Sequence, residues 1–442
     1  MSGADGNSAG LLRAVSRWQL VGLAINDVVG SGIYLLPATA AALLGGASVW
    51  AIVLAGLAAA LLVLCFAEAS SYFDQPGGAY LYTREAFGSF IGFEVGWMTW
   101  LSRVAALASY ANGLVLALGF FWPGAVSRWG RAAIICGLIL PLAGINLRAV
   151  RAGAYTAVVL VIAKMLPLAF FILVGAWFVD CAHLASLAAP PGGALGQAAL
   201  LLLFAYAGFE NTPAAAGEYR NPRRDLPFAL LAMILVVTLV YGGVQVVALG
   251  TLPGLAQSAS PLADAAERFA GPSGAWLLTL GAVLSITGIA GNTMLTGPRY
   301  LFALALDGYG PRWLARVHPR YRTPAVAIVV QAIISIALAM SGSFVQLASL
   351  SVVARVATYI GTAAAVPILR RRLGNRAAVR LPLGPAIPIM AVLVAAGLLG
   401  GATAASLLAV AAALVVGGII YVVRWRRVGR REPERPGAPT LR

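Results

Sequence analysis

Charged residues are scarce in this chain of 442 amino acids, and their scarcity excludes most soluble folds. Only 10% of the residues are charged, whereas soluble domains carry about a quarter. Hydrophobic residues make up 60% of the chain, and the mean hydropathy is +0.87. Such a chain can fold only where lipid covers most of its surface. The first apolar stretch, near Trp18, begins a long series, so we expect no cleavable signal peptide.

Cysteine and histidine are also rare, which argues against metal, disulfide and enzyme chemistry. Cys65, Cys136 and Cys181 are scattered, without the spacing of a metal site or a disulfide framework. His183 and His318 lie near predicted loops. No paired catalytic motif such as His-Glu-x-x-His and no repeated selectivity filter occurs. We therefore expect neither an enzyme nor a channel, and no cofactor or metal ion.

Hydrophobic runs, in contrast, fill the chain from end to end. A membrane-spanning helix needs about 20 apolar residues, and this length predicts twelve spans. They lie near residues 18–43, 48–72, 85–121, 129–147, 153–179, 197–217, 227–250, 275–305, 324–340, 344–369, 384–401 and 403–424.

Positive charge follows the predicted loops rather than forming a nucleic-acid surface. The net charge is +16, and with the N-terminus inside, 24 arginines fall in the inner segments. The outer loops hold only 3, namely Arg128, Arg131 and Arg268. This asymmetry predicts a multi-pass protein of a bacterial-type inner membrane with both termini in the cytoplasm. Anionic membrane lipid is an expected partner, and nucleic acid is not.

Two of the predicted spans are interrupted at mid-membrane. The first contains Gly30, Ser31 and Gly32, and the sixth contains Gly208, two residues before Glu210. Unwound backbone in a membrane must be buried in protein or line a wet cavity. For the first span alone, a packing seam of small residues is an equal alternative. Corresponding breaks five spans apart favour an inverted-repeat transporter with its substrate at the midplane.

The chemistry of the two breaks suits a zwitterion. A half-helix starting after Gly32 offers unpaired N–H groups and a positive dipole end to a carboxylate. A half-helix ending near Ala207 offers unpaired carbonyls to an ammonium group. Tyr34, Phe204 and Tyr206 flank the breaks, and Phe204 is the best candidate for an aromatic gate. The breaks therefore predict an amino acid substrate.

Lys164 is the only lysine of the chain and lies in the middle of the fifth span. Arginine keeps its proton in proteins, whereas burial disfavours the charged form of a lysine. A lysine that alternates between charged and neutral as a cavity opens and closes can couple transport to protons. A static ion pair, for example with Asp27, is the alternative.

Other charged residues also lie within spans, where charge is costly and usually functional. Glu210 is interpreted either as a protonatable gate or as a brace for the unwound segment. Asp27 could face the substrate amine, pair with Lys164 or bind the loosened backbone. Arg103 either faces the cavity, where it would repel cationic substrates or neutralise Glu210 or Asp27, or packs between helices. Glu68, Arg299 and Arg355 are expected near the inner ends of their spans. This position favours their interpretation as side chains that snorkel to the membrane surface or form ion pairs of a cytoplasmic gate.

Four collinear segments between about Trp18 and Arg372 resemble the amino acid–polyamine–organocation (APC) superfamily of permeases. Any one of these motifs is weak, but four in order are specific. They are Gly30-Ser31-Gly32-Ile33-Tyr34 with Pro37; Gln75 to Tyr82; Phe204 to Glu210 with Gly217 to Pro227; and Pro298 to Gly308 with Thr323-Pro324.

The resemblance implies an all-α polytopic membrane protein with a LeuT-type fold. That fold has twelve transmembrane helices, arranged as a five-plus-five inverted repeat with two extra C-terminal helices. The first repeat would cover 18–180, the second 197–369 and the extra helices 384–424. A cytoplasmic segment, 1–17, would precede them, and a disordered tail, 425–442, would follow.

The resemblance also implies which residues bind and couple. The glycine segment of the first helix would hold the substrate carboxylate. Carbonyls near Val28, Phe204 and Ala207 would hold the amine. Lys164 would replace a sodium ion between the first and eighth helices, near Ser285, Thr287 or Gly288. The implied binding residues are Val28, Gly30, Ser31, Gly32, Ile33, Phe204, Ala207 and Gly208, with Arg103, Tyr34 and Ser285 as possible cavity-lining residues.

The leading hypothesis is a secondary transporter that imports small neutral amino acids with protons, independently of sodium, by alternating access. An obligate exchanger of amino acids or amines on the same fold, with Lys164 as a fixed charge, is the second hypothesis. The proton gradient would be the energy source. The sequence leaves the oligomeric state open.

Overall fold

The computed structural model describes residues 15–73, 77–148, 154–184 and 194–428. This part of the chain is α-helical apart from turns, short 3-10 segments and one β-bridge between Val15 and Tyr219. Its α-helices are α1 (Arg17–Val28), α2 (Ser31–Leu44), α3 (Ser48–Ser71), α4 (Gly78–Phe87), α5 (Ser89–Gly119), α6 (Arg128–Leu147), α7 (Ala154–Gly175), α8 (Cys181–Leu184), α9 (Ala194–Tyr206), α10 (Pro222–Thr251), α11 (Pro261–Leu306), α12 (Ala325–Ser341), α13 (Phe344–Leu373), α14 (Ala386–Leu398) and α15 (Ala404–Val428).

The helices have the length and composition of a multi-pass membrane protein. Within the described ranges, eight helical stretches are long and apolar enough to cross a membrane, and Ala194–Tyr206, Ala325–Ser341 and Ala386–Gly401 are shorter apolar helices. Each of the twelve predicted spans overlaps one helix or a consecutive pair. The number of membrane crossings and the inverted repeat remain predictions.

Several predicted boundaries differ from the structure. The third span does not begin at residue 85, because Gly88 (φ 92°) turns the chain between α4 and α5. Non-helical backbone at Gly271 (φ 65°) divides α11 into two helical parts, and the second part, after Gly271, corresponds to the eighth span predicted from residue 275. The last helix continues to Val428, into the predicted tail. Residues 1–14, Gln75, Pro76 and 429–442 lie outside the described residues.

Polar caps fix where some of these apolar helices begin. The Ser127 hydroxyl accepts a 3.1 Å hydrogen bond from the Gly130 N–H at the start of α6. Ser343 and Gln346 form a reciprocal capping box at the start of α13, with hydrogen bonds of 3.0 and 3.3 Å. These bonds satisfy donors that a helix end leaves without partners.

The helices pack in two groups that meet at the interrupted segments. The helices α1, α2, α3, α9 and α10 pack mainly against one another, whereas α5 packs against α6, α11, α12 and α13. Helix α7 contacts both groups, through α1 and α10 on one side and α11 on the other. Backbone from the two breaks therefore lies inside the protein and away from lipid, as unwound membrane backbone requires.

Candidate functional site

The first predicted break lies between α1 and α2. Helix α1 ends at Val28, and Val29 (φ −72°, ψ 104°) and Gly30 (φ −139°, ψ −147°) leave helical geometry. Helix α2 begins at Ser31, so the predicted start after Gly32 is wrong by two residues. Two non-helical residues are enough to interrupt the helix, and Gly32 belongs to its first turn.

The second predicted break follows α9 in the sixth span. Helix α9 ends at Tyr206, and Gly208 takes a φ of 134°, a conformation that only glycine adopts readily. A 3-10 segment, Phe209–Glu218, continues the chain. A Cβ atom at position 208 would collide with the carbonyl of Asp27. Gly208 is therefore required both by its backbone angle and by its close approach to the first break.

The two breaks face one another. A Cβ atom at Gly32 would lie 2.6 Å from the Cα atom of Ala205, so glycine permits this contact. The Tyr241 hydroxyl of α10 lies 3.0 Å from the carbonyl oxygen of Ala205 and 3.4 Å from that of Val28. One phenol thus bridges the ends of both interrupted helices.

The predicted substrate-binding residues lie together in this enclosed region. Helix α2 presents its first N–H groups here, which have no partner within their own helix. Helix α9 presents its last carbonyls, of which that of Phe204 accepts from the Ala207 N–H at 3.3 Å and that of Ala205 from the Tyr241 hydroxyl. The Ser31 hydroxyl is buried without a hydrogen-bond partner among the described residues. The N–H donors that begin α2 therefore lie beside the carbonyls that end α9. The buried residues are Val28, Gly30, Ser31, Gly32, Ile33, Phe204, Ala207 and Gly208.

Lys164 lies between α1 and α11, next to the first break. Its side chain is 1% exposed, and Nζ donates to the carbonyl oxygens of Asn26 and Val29, each at 3.3 Å. Ser285 of α11 donates to the same Val29 carbonyl at 3.0 Å. A Cβ atom at Gly288 would lie 3.0 Å from Cε of Lys164. The structure thus fixes the register of the eighth helix with Ser285 and Gly288 beside the lysine.

Asp27 does not form the ion pair with Lys164 that the sequence offers as an alternative. Among the described residues, its carboxylate accepts a hydrogen bond from the Asn292 side chain of α11. The carboxylate is buried, and Lys164 and Arg103 both act on it electrostatically. Asp27 therefore ties the end of α1 to α11 while it lies between two basic groups.

Glu210 braces the second break and forms a buried ion pair. One carboxylate oxygen accepts from the Gly208 N–H at 3.0 Å and from the Tyr359 hydroxyl at 3.3 Å. The other lies 3.1 Å from Nη1 of Arg355, and the side chains are 2% and 4% exposed. Arg355 is therefore not at an inner end: it sits mid-way along α13, where the carboxylate compensates its charge.

Arg103 is a buried cation with few partners. Its side chain is 2% exposed, and Nη1 donates to the Thr296 hydroxyl of α11 at 3.0 Å. The guanidinium also lies 5.4 Å from the ring centroid of Tyr300 and interacts with its hydroxyl. Within the described ranges Nε and Nη2 have no hydrogen-bond partner, and no carboxylate pairs with the guanidinium.

Aromatic residues enclose the second break. The Phe204 ring lies 5.6 Å from Tyr110 of α5 and 6.1 Å from Phe344 of α13. The Tyr34 hydroxyl lies 3.4 Å from the backbone carbonyl of Lys164. Phe204 therefore lies at the contact between the two helix groups, while Tyr34 joins α2 to α7.

Ion pairs also join helices at the ends predicted to be cytoplasmic. Glu68 accepts two hydrogen bonds of 2.6 Å from Arg370 and one of 2.9 Å from the Leu381 N–H. Arg17 pairs with Asp225 at 2.8 Å. Glu68 lies in the last turn of α3, at the end of the span that the sequence predicts to be cytoplasmic.

Sequence reasoning missed Tyr241, Asn292 and the pairing of Arg355. Each acts through a residue that is distant in the chain, so no local motif identifies it. A polar side chain within an apolar span was the only available signal. Charged residues gave a stronger version of that signal, which is why Asp27 and Lys164 were found.

Comparison with known proteins decides the family. A family model described as "Amino acid permease" matches residues 15–423. The chain belongs to the amino acid permease family. The resemblance to the APC superfamily inferred from the four motifs is thereby confirmed, and the protein is a multi-pass membrane protein of a transporter family.

Curated relatives from Bacillus subtilis (strain 168) share much of the length of this permease. A methylthioribose transporter is 29% identical over 408 residues, covering 88% of this chain and 88% of its own. A serine/threonine exchanger is 29% identical over 401 residues, with 87% and 89% coverage. A branched-chain amino acid permease is 27% identical over 408 residues, with 87% and 86% coverage.

Proposed function

We propose that this permease imports small neutral amino acids together with protons, independently of sodium, by alternating access. The proposal includes a LeuT-type arrangement of twelve transmembrane helices with a five-plus-five inverted repeat. It places the protein in a bacterial-type inner membrane with both termini in the cytoplasm. The two facing helix breaks carry the proposal, because they bring the first N–H groups of α2 and the last carbonyls of α9 into one enclosed place.

The substrate would lie between the breaks. Its carboxylate would accept from the N–H groups of Ser31, Gly32 and Ile33, where the α2 dipole is positive. Its ammonium group would donate to carbonyls near Phe204 and Ala207, at the C-terminal end of α9. The Val28 carbonyl could join them when it is released by the Tyr241 hydroxyl.

Coupling would depend on Lys164. Protonated, its ammonium group donates to the Asn26 and Val29 carbonyls and holds the end of α1 against α7 and α11. Without its proton, the amine has no charge with which to strengthen those two bonds. Loss of the proton would therefore loosen α1 and favour movement of one helix group against the other. Asp27, one residue from Asn26, would share in this proton exchange.

Phe204 and Glu210 would form the gate at the second break. Phe204 would close over the substrate against Tyr110, and Glu210 would hold the Gly208 backbone in its unusual conformation. Because Glu210 is anchored by Arg355, its gating role would involve movement of α13 rather than loss of the carboxylate charge.

Transport by reconstituted protein tests this proposal. Purified full-length protein in sodium-free proteoliposomes should accumulate a labelled neutral amino acid when the outside is made more acidic. A thermal-shift screen of the twenty amino acids would first select the substrate. Equal uptake with and without the pH step would contradict proton coupling.

Obligate exchange is the second candidate function. It is favoured by the relative named as a serine/threonine exchanger, and by the two carbonyl contacts that could keep Lys164 permanently charged. In the same proteoliposomes, an exchanger would require internal substrate and would not respond to the pH step. A proton-coupled importer would show the opposite behaviour on both counts.

A further inference from the structure

Arg103 is a buried donor that the proposed mechanism does not use. An arginine guanidinium stays charged in proteins and carries five N–H donors. Here the guanidinium bonds the Thr296 hydroxyl through Nη1 and also interacts with the Tyr300 hydroxyl, while Nε and Nη2 have no hydrogen-bond partner of good geometry among the described residues. Leaving charged donors unsatisfied in an apolar interior is costly. Such a group is best explained by an acceptor that is present for only part of a cycle.

Three neighbouring contacts place this guanidinium close to the helix breaks. Thr296 donates to the backbone carbonyl of Asn292, one helical turn away, and Asn292 in turn binds Asp27 at the end of α1. On α5, Tyr110 packs on Phe204 seven residues after Arg103, about 10 Å along the helix. Arg103 therefore faces the same enclosed region as the two breaks, on the side of the α1 terminus.

Charge in this region is predominantly positive. Glu210 is paired with Arg355, so these two residues add no net charge to the region. Lys164 and Arg103 remain against Asp27, and neither forms an ion pair with it among the described residues. Lys164 already bonds two carbonyls, so Arg103 is the group with free donors.

We propose that Arg103 determines substrate specificity by rejecting cationic side chains and favouring side chains with an oxygen acceptor. This inference rests on the proposed amino acid site between the helix breaks. A hydroxyl or amide oxygen would satisfy Nε or Nη2, whereas an ammonium group would meet a fixed positive charge in a region of low dielectric constant. Repulsion between unit charges there reduces binding by about tenfold or more.

Three amino acids of equal side-chain length isolate the effect of the group at the end of the substrate side chain. Norvaline, homoserine and 2,4-diaminobutyrate end in a methyl, a hydroxyl and an ammonium group respectively. Their half-saturating concentrations are measured by thermal shift on purified full-length protein. We expect homoserine to bind at least as tightly as norvaline, and 2,4-diaminobutyrate to bind about tenfold more weakly or worse.

Substitutions of Arg103 test whether its guanidinium causes the differences in binding among these three amino acids. Arg103→Gln should reduce the discrimination against 2,4-diaminobutyrate about tenfold, and Arg103→Lys should keep it while losing the homoserine preference. Arg128→Gln, an exposed arginine at the start of α6, is the matched control and should keep the wild-type ratios.

Each outcome decides the inference. Wild-type protein that binds 2,4-diaminobutyrate as tightly as norvaline overturns it, even if the Arg103 variants do not fold. Unchanged ratios in a folded Arg103→Gln protein also overturn it, while binding of norvaline keeps the amino acid site intact. If no amino acid stabilises the wild-type protein, the proposed site itself is wrong and the inference falls with it.

Discussion

Replacing Lys164 by alanine separates proton coupling from the rest of the transport cycle. The change removes the ammonium group that lies 3.3 Å from both the Asn26 and the Val29 carbonyl oxygens. Ser285 still donates to Val29 at 3.0 Å, so only the Asn26 carbonyl loses its side-chain donor. We therefore expect the variant to insert and to remain folded.

The expected loss of substrate accumulation follows from the presence of one titratable lysine, and hence of one proton moved with each substrate. A transporter that moves one proton with each substrate converts a pH difference of one unit into about tenfold accumulation, equivalent to about 1.4 kcal/mol. Without its titratable amine, Lys164→Ala should equilibrate the substrate at an accumulation ratio of about one. Two hydrogen bonds to a charged donor, each worth about 1.5–3 kcal/mol in buried sites, give an upper bound to its loss of stability.

The assay is accumulation of labelled substrate in proteoliposomes with and without a one-unit pH step. Ser285→Ala is the matched control, since it removes a non-titrating donor from the same Val29 carbonyl. That variant should keep its response to the pH step. A folded Lys164→Ala protein that accumulates substrate as strongly as the wild type would refute the coupling role.

Three further predictions concern the helix breaks. Gly208→Ala should lower the Tm of the purified protein sharply and abolish transport, because the new Cβ atom meets the Asp27 carbonyl at a φ of 134°; an unchanged Tm would contradict this. Tyr241→Phe should cost about 1 kcal/mol of stability by removing the phenol between two carbonyls, measured as a small Tm decrease against Tyr321→Phe as control. Arg355→Met should cost about 3–5 kcal/mol by leaving Glu210 buried without its cation, and adding Glu210→Gln should recover most of that loss; a double variant no more stable than the single one would argue against the pair.

The apolar membrane helices and both helix breaks were predictable because their causes are local. Apolar length defines a membrane helix, and a glycine next to polar residues within such a run signals an interruption. Gly208 illustrates this, since its left-handed backbone is a property of that residue itself. The start of α2 at Ser31 was missed by two residues, because either glycine of the Gly30-Ser31-Gly32 segment satisfies the pattern.

The partners of the charged residues were not predictable, because they depend on the register between helices. Arg355 and Glu210 are 145 positions apart, and Asp27 and Asn292 are 265 apart. Periodicity shows which face of a helix is buried, but not which turn of its neighbour lies opposite. Lys164 was therefore found as a buried lysine, while its carbonyl partners required the structure.

The polar groups at the site share one arrangement: each backbone discontinuity is held by a side chain from the other helix group or from α7. Lys164 and Ser285 hold the Val29 carbonyl, and Arg355 holds Glu210, which in turn holds the Gly208 N–H. Movement of one helix group against the other must therefore change the bonds at both breaks together. Loss of a proton at the first break would therefore also shift the backbone of the second break, because Gly208 directly contacts the Asp27 backbone. The coupling of proton and substrate would then require no additional relay, because the titrating group and the binding groups belong to the same pair of helix ends.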